Sequence, residues 1–259
     1  MPARARKRFG QHFLHDPAMV ERIVRAVAPR PGDAIVEIGP GRGVLTRALL
    51  AAAGRLDAVE IDRDLAAQLS QELPAAAGLT LHVGDALRFD FAALAAARGA
   101  RLRVVGNLPY NISTPLLFHL LATPAALDDL HVMLQREVIE RMAAVPGSAD
   151  YGRLTVMLAP WVRVEKLFDV GPGAFQPPPK VWSSVARLVV RRTPAFDVPP
   201  AFGEIVLRAF SARRKTLRNA LRPMLDAAAI EAAGIDPGVR AEVLAPAQFA
   251  ALARLAPQR

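Results

Sequence analysis

No cysteine occurs among the 259 residues, which excludes disulfide bonds and thiolate metal sites. Long apolar runs are also missing. The longest stretch without a charged residue, 104–127, contains Asn107, Asn111, His119 and three prolines, so it does not form a continuous membrane helix. The N-terminus lacks the apolar core of a secretory signal. We therefore expect a cytoplasmic protein with no membrane segment.

Lysine is rare, since arginine supplies all but 4 of the 33 basic residues. The net charge is +9, which favours partners such as phosphate backbones, membranes or acidic proteins. An excess of arginine over lysine can also reflect genome composition, so clustering carries more weight than the total. One cluster is an N-terminal arm, residues 4–8, with four cations in five positions.

Strand and helix patterns alternate through the first two thirds of the chain. Pro17 follows a predicted N-cap, Asp16, and opens an amphipathic helix. Predicted strands then lie at 34–38, 55–61, 79–83, 101–105 and 130–134. Predicted helices lie at 44–53, 62–73, 89–97, 114–121, 136–144 and 151–161. Such repeated units imply a parallel sheet with helices on both faces.

The last third of the chain has a different pattern. Two late strands, 162–170 and 181–191, have no helix between them, so we expect them to pair antiparallel. Residues 191–200 contain three prolines and are typical of a linker. Only helical patterns follow, at 202–211, 214–225 and 246–255. We therefore predict two domains, with residues 1–193 forming the α/β domain and 194–259 a small all-α domain.

A glycine-rich turn, Glu37-Ile-Gly-Pro-Gly-Arg-Gly43, follows the first predicted strand and opens a helix. Gly39 and Gly41 allow the backbone to approach a ligand closely. Glu60 ends the next strand, where a carboxylate can accept from both hydroxyls of a ribose, and Asp85 ends the third, where it can accept from an adenine amine. Each acid alone can instead be a helix N-cap. Their positions at consecutive strand ends favour a nucleotide site.

A dinucleotide dehydrogenase shares these features, but the loop here has the spacing Gly-x-Gly-x-Gly, and the fourth strand ends in Asn107-Leu-Pro-Tyr110. An exocyclic adenine nitrogen is a poor nucleophile because its lone pair is delocalised into the ring. Acceptors at the Asn107 side chain and the Leu108 carbonyl, on a backbone fixed by Pro109, can localise that lone pair. Tyr110 offers a face for an extruded base.

Four segments together carry a family resemblance: residues 8–15 (Arg-Phe-Gly-Gln-His-Phe-Leu-His), the glycine-rich turn, Asn107–Tyr110, and residues 175–183 (Phe-Gln-Pro-Pro-Pro-Lys-Val-Trp-Ser). With residues 210–221 they resemble the ribosomal RNA adenine dimethyltransferases. The resemblance is greatest to the bacterial enzymes that dimethylate two adjacent adenines in the hairpin near the 3′ end of small-subunit (16S) rRNA. It covers nearly the whole chain.

The resemblance implies a Rossmann-like, seven-stranded class I methyltransferase sheet, mostly parallel with its last strand antiparallel. It implies S-adenosylmethionine as the cofactor and a role in subunit biogenesis. The implied cofactor residues are His12, Leu14, Gly39, Gly41, Glu60, Asp85 and Asn107. The implied contacts to the target adenine are Asn107, Leu108, Pro109 and Tyr110, with Phe175 as a second stacking face.

A second basic cluster lies in the predicted helical domain, and it contains no acidic residue. A solvated helix face normally mixes charges of both signs, so this cluster favours contact with RNA phosphates. Its members are Arg213, Arg214, Lys215, Arg218 and Arg222. The remaining histidines, at 15, 82, 119 and 131, lack the spacing of metal ligands, and we expect no metal.

Three alternatives share some of these features. A methyltransferase acting on large-subunit RNA would share the first domain and the Asn107–Tyr110 motif. A DNA adenine methyltransferase usually carries Asp or Asn-Pro-Pro-Tyr/Phe and a sizeable recognition domain, which are absent here. A non-catalytic RNA-binding assembly factor would not need Glu60, Asp85, Asn107 and Tyr110. We expect a monomeric enzyme that acts on 16S rRNA in the small ribosomal subunit.

Overall fold

A computed structural model describes residues 12–74, 77–212 and 214–257. The N-terminal arm, residues 8–11 of the first motif, and Arg213 lie outside the described residues. Contacts divide the chain into two compact units. The first contains Met1–Ile139 and Val164–Val190, and the second contains Glu140–Arg163 and Arg191–Arg259.

The described residues of the first unit form most of a seven-stranded sheet. In chain order the strands of the protein are β1 (Phe13–Leu14), β2 (Ala34–Ile38), β3 (Leu56–Glu60), β4 (Leu79–Val83), β5 (Leu102–Asn107), β6 (Leu127–Gln135), β7 (Val162–Val170), β8 (Phe175–Gln176) and β9 (Ser183–Val190). The large sheet has the order β4-β3-β2-β5-β6-β9-β7. Strands β2 to β6 pair in parallel, and β9 is antiparallel to β6. The predicted fold class is confirmed.

Helices follow most of the parallel strands. In chain order they are α1 (Pro17–Val27), α2 (Val44–Ala53), α3 (Arg63–Glu72), α4 (Phe91–Arg98), α5 (Ser113–Leu120), α6 (Arg136–Ala143), α7 (Arg153–Leu158), α8 (Phe202–Ser211), α9 (Leu217–Leu221), α10 (Ala227–Ala232) and α11 (Pro246–Leu255). The predicted start of α1 is confirmed, because Asp16 Oδ1 accepts from the backbone nitrogens of Ala18 and Met19 at 2.9 and 3.2 Å. Every residue of β2 and β3 is buried, as expected for strands covered on both faces.

The order of the strands fixes where a ligand can bind. From β2 the chain builds outward to β3 and β4 and then returns to place β5 on the other side of β2. Where the strand order reverses direction in this way, the loops on the two sides diverge and leave a crevice beyond the carboxyl ends of the strands. The turns that follow β2 and β5 therefore lie side by side at this crevice, and these are the turns that carry the two predicted motifs.

The second unit has its own apolar core. Phe202 and Ile205 of α8, Leu217 of α9 and Phe249 of α11 pack there with Tyr151. The Tyr151 hydroxyl donates to the Leu244 carbonyl at 2.6 Å, so its burial leaves no polar atom unsatisfied. Residues 140–163 thus contribute to this helical unit, whereas the sequence-based boundary placed them with the α/β domain.

Some predicted helices are shorter in the structure. The helix predicted at 151–161 is limited to α7, and the one predicted at 214–225 is limited to α9. Helix α10 was not predicted; Asp226 caps it by accepting from the Ala229 nitrogen at 2.8 Å. Strands β1 and β8 were not predicted either, because two residues are too few to show an alternating pattern.

Candidate functional site: a nucleotide cavity beside an Asn-Leu-Pro-Tyr turn

One cavity in the first unit lies at the carboxyl ends of β2, β3, β4 and β5. All the residues that the sequence analysis associated with the cofactor line it, and so do four residues of the Asn107–Tyr110 turn. The predicted residues in the lining are His12, Leu14, Gly39, Gly41, Glu60, Asp85, Asn107, Leu108, Pro109 and Tyr110. The cofactor-associated acids and the turn that carries the proposed chemistry thus face the same space.

The glycine-rich turn forms one wall of the cavity. Gly41 has a φ of +56°, a left-handed conformation that favours glycine. A Cβ atom at this position would lie 3.1 Å from a ring carbon of Phe13, closer than ordinary contact. The backbone nitrogen of Gly41 donates to Glu60 Oε2 at 3.0 Å. Glycine at this position therefore lets the turn pack under β1 while it holds the carboxylate at the end of β3.

The Glu60 carboxylate is held by two backbone groups. Besides the bond from Gly41, Oε1 accepts from the Asp62 nitrogen at 2.8 Å. Burial raises the pKa of Glu60, and these backbone hydrogen bonds act in the opposite direction. Each oxygen keeps a second lone pair, so the oriented carboxylate can still accept from a diol.

The sequence left open whether Asp85 caps a turn or faces a ligand, and the structure places it where it can do both. Its Oδ1 accepts from the Leu87 nitrogen at 2.9 Å, which is the capping interaction expected of an acid in such a turn. Its side chain also lines the cavity. One oxygen is therefore used by the turn, and Oδ2 is left for a ligand.

Glu37 is a residue of the site to which the sequence analysis gave no role. It lies in β2, is 2% exposed, and lines the cavity. Burial raises the pKa of Glu37 to about 8; the Thr46 side chain acts against this shift, and the neighbouring Glu60 adds to it. None of the described residues donates a hydrogen bond to its Oε2. A carboxyl residue within an otherwise apolar strand, Ala-Ile-Val-Glu-Ile, was the available signal.

The position of Asn107 depends on the residue before it. A Cβ atom on Gly106 would lie 2.7 Å from the Ile38 carbonyl oxygen, so only glycine lets the end of β5 approach the end of β2 this closely. The Asn107 amide nitrogen donates to the His12 carbonyl at 2.9 Å. Since a carbonyl can only accept, this contact fixes the orientation of the amide. The Asn107 Oδ1 atom is then the acceptor left for another group.

Tyr110 is anchored at both its hydroxyl and its ring. Its Oη lies 2.7 Å from the hydroxyl oxygen of Ser183, which is fully buried at the start of β9. The ring stacks on His12, with centroids 5.8 Å apart and an interplanar angle of 28°. Burial raises the pKa of Tyr110, with the Ser183 hydrogen bond opposing it. The contact with Ser183 was not predicted, since a partner 73 residues away leaves no local pattern.

Strands β1 and β8 bring two of the sequence motifs together. Phe13 pairs with Gln176 and Leu14 with Phe175, antiparallel. Next to this pair, His12 Nδ1 lies 2.8 Å from the Pro177 carbonyl oxygen. The segments around residues 12 and 176 therefore hold each other in place beside the cavity. This contact gives a structural reason why the motifs at residues 8–15 and 175–183 occur together in the sequence.

Phe175 lies apart from the other predicted contacts to the target adenine, and its role stays a prediction. The sequence analysis gave it to the target adenine as a second stacking face, but its side chain is 2% exposed and packs in the main hydrophobic core. It is absent from the lining of the cavity. In this conformation the ring belongs to the same hydrophobic cluster as Leu14 of β1, and the aromatic ring that stacks on Tyr110 is that of His12.

Four members of the second basic cluster are described, and all four are exposed: Arg214, Lys215, Arg218 and Arg222. Helix α9 buries Leu217 and Leu221, which turns the intervening polar positions outward. Lys215, Asn219 and Arg222 line a shallow depression. Two cations and an amide around an open depression are a suitable surface for phosphate oxygens.

Among the described residues, no group of three or more His, Asp or Glu side chains is arranged to hold a metal ion. None of the helices formed by the described part of the chain has the length and apolar character needed to span a bilayer.

The Tyr110–Ser183 contact leads to a prediction. We expect Tyr110→Phe and Ser183→Ala to lower methyl transfer by similar amounts of about fivefold, and the double variant to be no worse than either, because both remove one hydrogen bond of about 1 kcal/mol. Tyr110→Ala should be far worse, since it removes the ring. Steady-state assays of the four variants check this, and an additive double variant would show that the two hydroxyls act separately.

Comparison with known proteins gives consistent results. The sequence model of the family described as ribosomal RNA adenine dimethylase matches residues 3–258. A protein of Pseudomonas fluorescens named ribosomal RNA small subunit methyltransferase A is 54% identical over 253 residues, covering 96% of this chain and 93% of its own length. The protein of the same name from Methylococcus capsulatus is 52% identical over 255 residues, covering 96% of both chains.

Solved structures show the same likeness at lower identity. A dimethyladenosine transferase from Plasmodium falciparum superposes with a TM-score of 0.78 at 24% identity, covering 93% of this chain and 96% of that one, which shows the fold. The 23S rRNA methyltransferase ErmE superposes with a TM-score of 0.71 at 27% identity, covering 95% of this chain and 100% of that one.

Proposed function

Because this chain belongs to the ribosomal RNA adenine dimethylase family, we propose that it dimethylates the exocyclic amines of two adjacent adenines in the 3′-terminal hairpin of 16S rRNA within the small ribosomal subunit. The family makes the chain an rRNA adenine dimethyltransferase that uses S-adenosylmethionine. The choice of hairpin and of subunit is the proposal. The methyl-transfer chemistry is supported by one cavity that joins a nucleotide site, with Glu60 and Asp85, to the Asn107–Tyr110 turn, and the choice of subunit is supported by the relatives.

The small subunit is favoured over the large one by the relatives. Proteins named for the small subunit are 52–54% identical over nearly the whole chain, whereas the solved 23S rRNA methyltransferase is 27% identical. The two classes share the fold, so the fold alone does not discriminate between them. Transfer of labelled methyl groups to unmethylated small subunits, and not to large subunits, tests the proposal. Labelling of large subunits alone would overturn it.

The cavity fits the proposed cofactor. Glu60 is oriented toward a diol by Gly41 and Asp62, and Asp85 has an oxygen left for an adenine amine. Glu37 Oε2 is a buried acceptor with no described donor, and the ammonium group of the methionine moiety would satisfy it. When bound, S-adenosylmethionine supplies an electrophilic methyl group on a sulfonium.

The Asn107–Tyr110 turn then prepares the nucleophile. Asn107 Oδ1, whose orientation is set by the bond from its amide nitrogen to His12, accepts one hydrogen of the adenine amine, and the Leu108 carbonyl accepts the other. Both acceptors favour a pyramidal nitrogen, so the lone pair becomes available for attack. Tyr110 stacks on the extruded base, which offsets the few kcal/mol that extrusion costs. The product ammonium is acidic enough to lose its proton to water.

In this proposal, the C-terminal helical domain predicted for residues 194–259 recognises the RNA substrate. A cavity that admits adenine, monomethyladenine and dimethyladenine cannot discriminate between sites by itself. Exposed cations on and around α9 can bind backbone phosphates and so fix the position of the RNA on the protein. The proposed contacts are Arg213, Arg214, Lys215, Arg218 and Arg222. The enzyme then acts as a monomer without a metal, in the cytoplasm where subunits are assembled, and contributes to their biogenesis.

Removal of the two acids tests the cofactor site. We expect Glu60→Ala and Asp85→Ala each to weaken S-adenosylmethionine binding roughly ten- to hundredfold from a micromolar dissociation constant, because each removes a charge-assisted hydrogen bond. NAD should not bind comparably. Calorimetry measures both, with Glu21→Ala, an exposed acid on α1, as the control. Wild-type affinity in folded forms of both variants would refute the assignment.

A further inference from the structure

Trp182 is an exposed aromatic residue that the proposed reaction does not use. It is 52% exposed, whereas most large apolar side chains of this unit are buried. Its neighbours Lys180 and Val181 are exposed as well. A tryptophan side chain is the largest aromatic surface available to a protein, and exposing half of it to water is unfavourable unless something covers it.

The position of Trp182 relates it to the active site. It immediately precedes Ser183, whose hydroxyl is 2.7 Å from Tyr110 Oη. Ser183 pairs with Gln135, the last residue of β6, while Met133 of β6 pairs with Asn107. The indole is therefore carried at the edge of the sheet at which the Asn107–Tyr110 turn begins, one residue from the group that anchors Tyr110.

The backbone that carries the indole is fixed. The Trp182 carbonyl accepts from the Arg136 nitrogen at 2.9 Å. On one side the six-membered ring packs on Gly171, whose Cβ position would lie 3.5–3.9 Å from three ring carbons. A side chain that already packs on one side has less conformational freedom to lose, so its contact with a ligand costs less side-chain entropy.

We propose that Trp182 is a stacking site for an unpaired nucleobase that flanks the target adenine in the substrate RNA, an inference that rests on the proposed role of Tyr110. A flanking base rather than the target is specified because Tyr110 already stacks on the target in the proposed reaction. Trp182 is adjacent in the chain to Ser183, which holds the Tyr110 hydroxyl, and so lies beside that position rather than at it. Every base has a π-face, and stacking on an aromatic side chain is tolerant of sequence. The exposed Lys180, two residues away, can balance the adjoining phosphate.

Three substitutions separate stacking from other kinds of contact. Trp182→Ala removes the ring, Trp182→Leu keeps an apolar side chain without a π-face, and Trp182→Phe keeps a smaller ring. We expect the KM for unmethylated small subunits to rise about tenfold in the Ala and Leu variants and less than threefold in Phe, with kcat changed less than twofold. Tenfold corresponds to about 1.4 kcal/mol. Leu167→Ala, which truncates an exposed residue of β7, is the matched control and should have no effect.

Fluorescence provides a readout that does not depend on turnover. The chain has two tryptophans, so in a Trp161→Phe background all tryptophan emission comes from Trp182. Titration with a ten-nucleotide single-stranded RNA containing two adjacent adenines should quench this emission, because a base stacks on the indole. The same RNA should bind about tenfold more weakly to Trp182→Ala.

The outcomes distinguish the inference from the proposed function. If RNA leaves the Trp182 emission unchanged and Trp182→Ala binds RNA as tightly as the wild type, the stacking site is overturned. The proposed function still stands in that case if Asn107→Ala loses methylation. A Trp182→Leu variant as active on subunits as the wild type overturns it too, and indicates a ribosomal protein as the occupant. Quenching in an enzyme whose Asn107→Ala variant stays active supports the stacking site and refutes the proposed chemistry.

Discussion

Replacement of Asn107 by alanine is expected to lower kcat for methyl transfer by about 10²- to 10³-fold while RNA binding stays within a few-fold of the wild type. The removed Oδ1 accepts from an amine whose nitrogen becomes pyramidal only in the transition state, so its loss affects the barrier more than the ground state. Because the Asn107 amide also donates to the His12 carbonyl, we expect some weakening of cofactor binding as well.

The matched control for this variant is Asn111→Ala. Asn111 is exposed and directly follows the Asn107–Tyr110 turn. Single-turnover assays at saturating cofactor separate the chemical step from binding. An Asn107→Ala enzyme that keeps more than a third of the wild-type rate would mean that the Leu108 carbonyl alone prepares the amine.

Charge reversal on the helical unit is the second change with a large expected effect. We expect a variant with Arg214→Glu, Lys215→Glu and Arg222→Glu to lose activity on small subunits, while it binds S-adenosylmethionine as the wild type does. These side chains are exposed around α9, so their replacement leaves the buried core of that unit unchanged. Each lost phosphate contact should also reduce the logarithmic salt slope of RNA binding by roughly 0.7–0.9.

The control is a triple variant with the same change in net charge on the first unit. Reversal of Arg25, Arg30 and Arg55, which are exposed on the first unit, should leave activity on subunits within a few-fold of the wild type. Equal losses in both triple variants would show that only total charge matters. Normal methylation by the first variant would leave the N-terminal arm, residues 4–8, as the leading candidate for RNA recognition.

The parts of the site that could be predicted are the residues at the carboxyl ends of the parallel strands. In a parallel sheet, residues at the carboxyl ends of neighbouring strands must lie at one edge, so Glu60, Asp85 and Asn107 could be expected together from their positions alone. The structure places all three at one cavity. Their roles in binding and chemistry stay predictions.

The parts that could not be predicted depend on contacts between distant segments. The ring of Phe175 is buried because β1 and β8 pair, and neither two-residue strand has a recognisable pattern. The hydrogen bond between Tyr110 and Ser183 joins two segments of the chain that are 73 residues apart. Glu37 showed a signal, a carboxyl group in a buried strand, but its meaning becomes clear only when its Oε2 is found without a described donor.

The most direct test of the central claim is nucleotide-resolution mapping of the methyl groups that this enzyme adds to unmethylated small subunits supplied with labelled S-adenosylmethionine. The proposed function predicts label at two adjacent adenines of the 3′-terminal hairpin of 16S rRNA, with two methyl groups on each amine and four cofactors consumed per subunit. Label at a single adenine, at another position of the RNA or on a nucleotide other than adenine would contradict it.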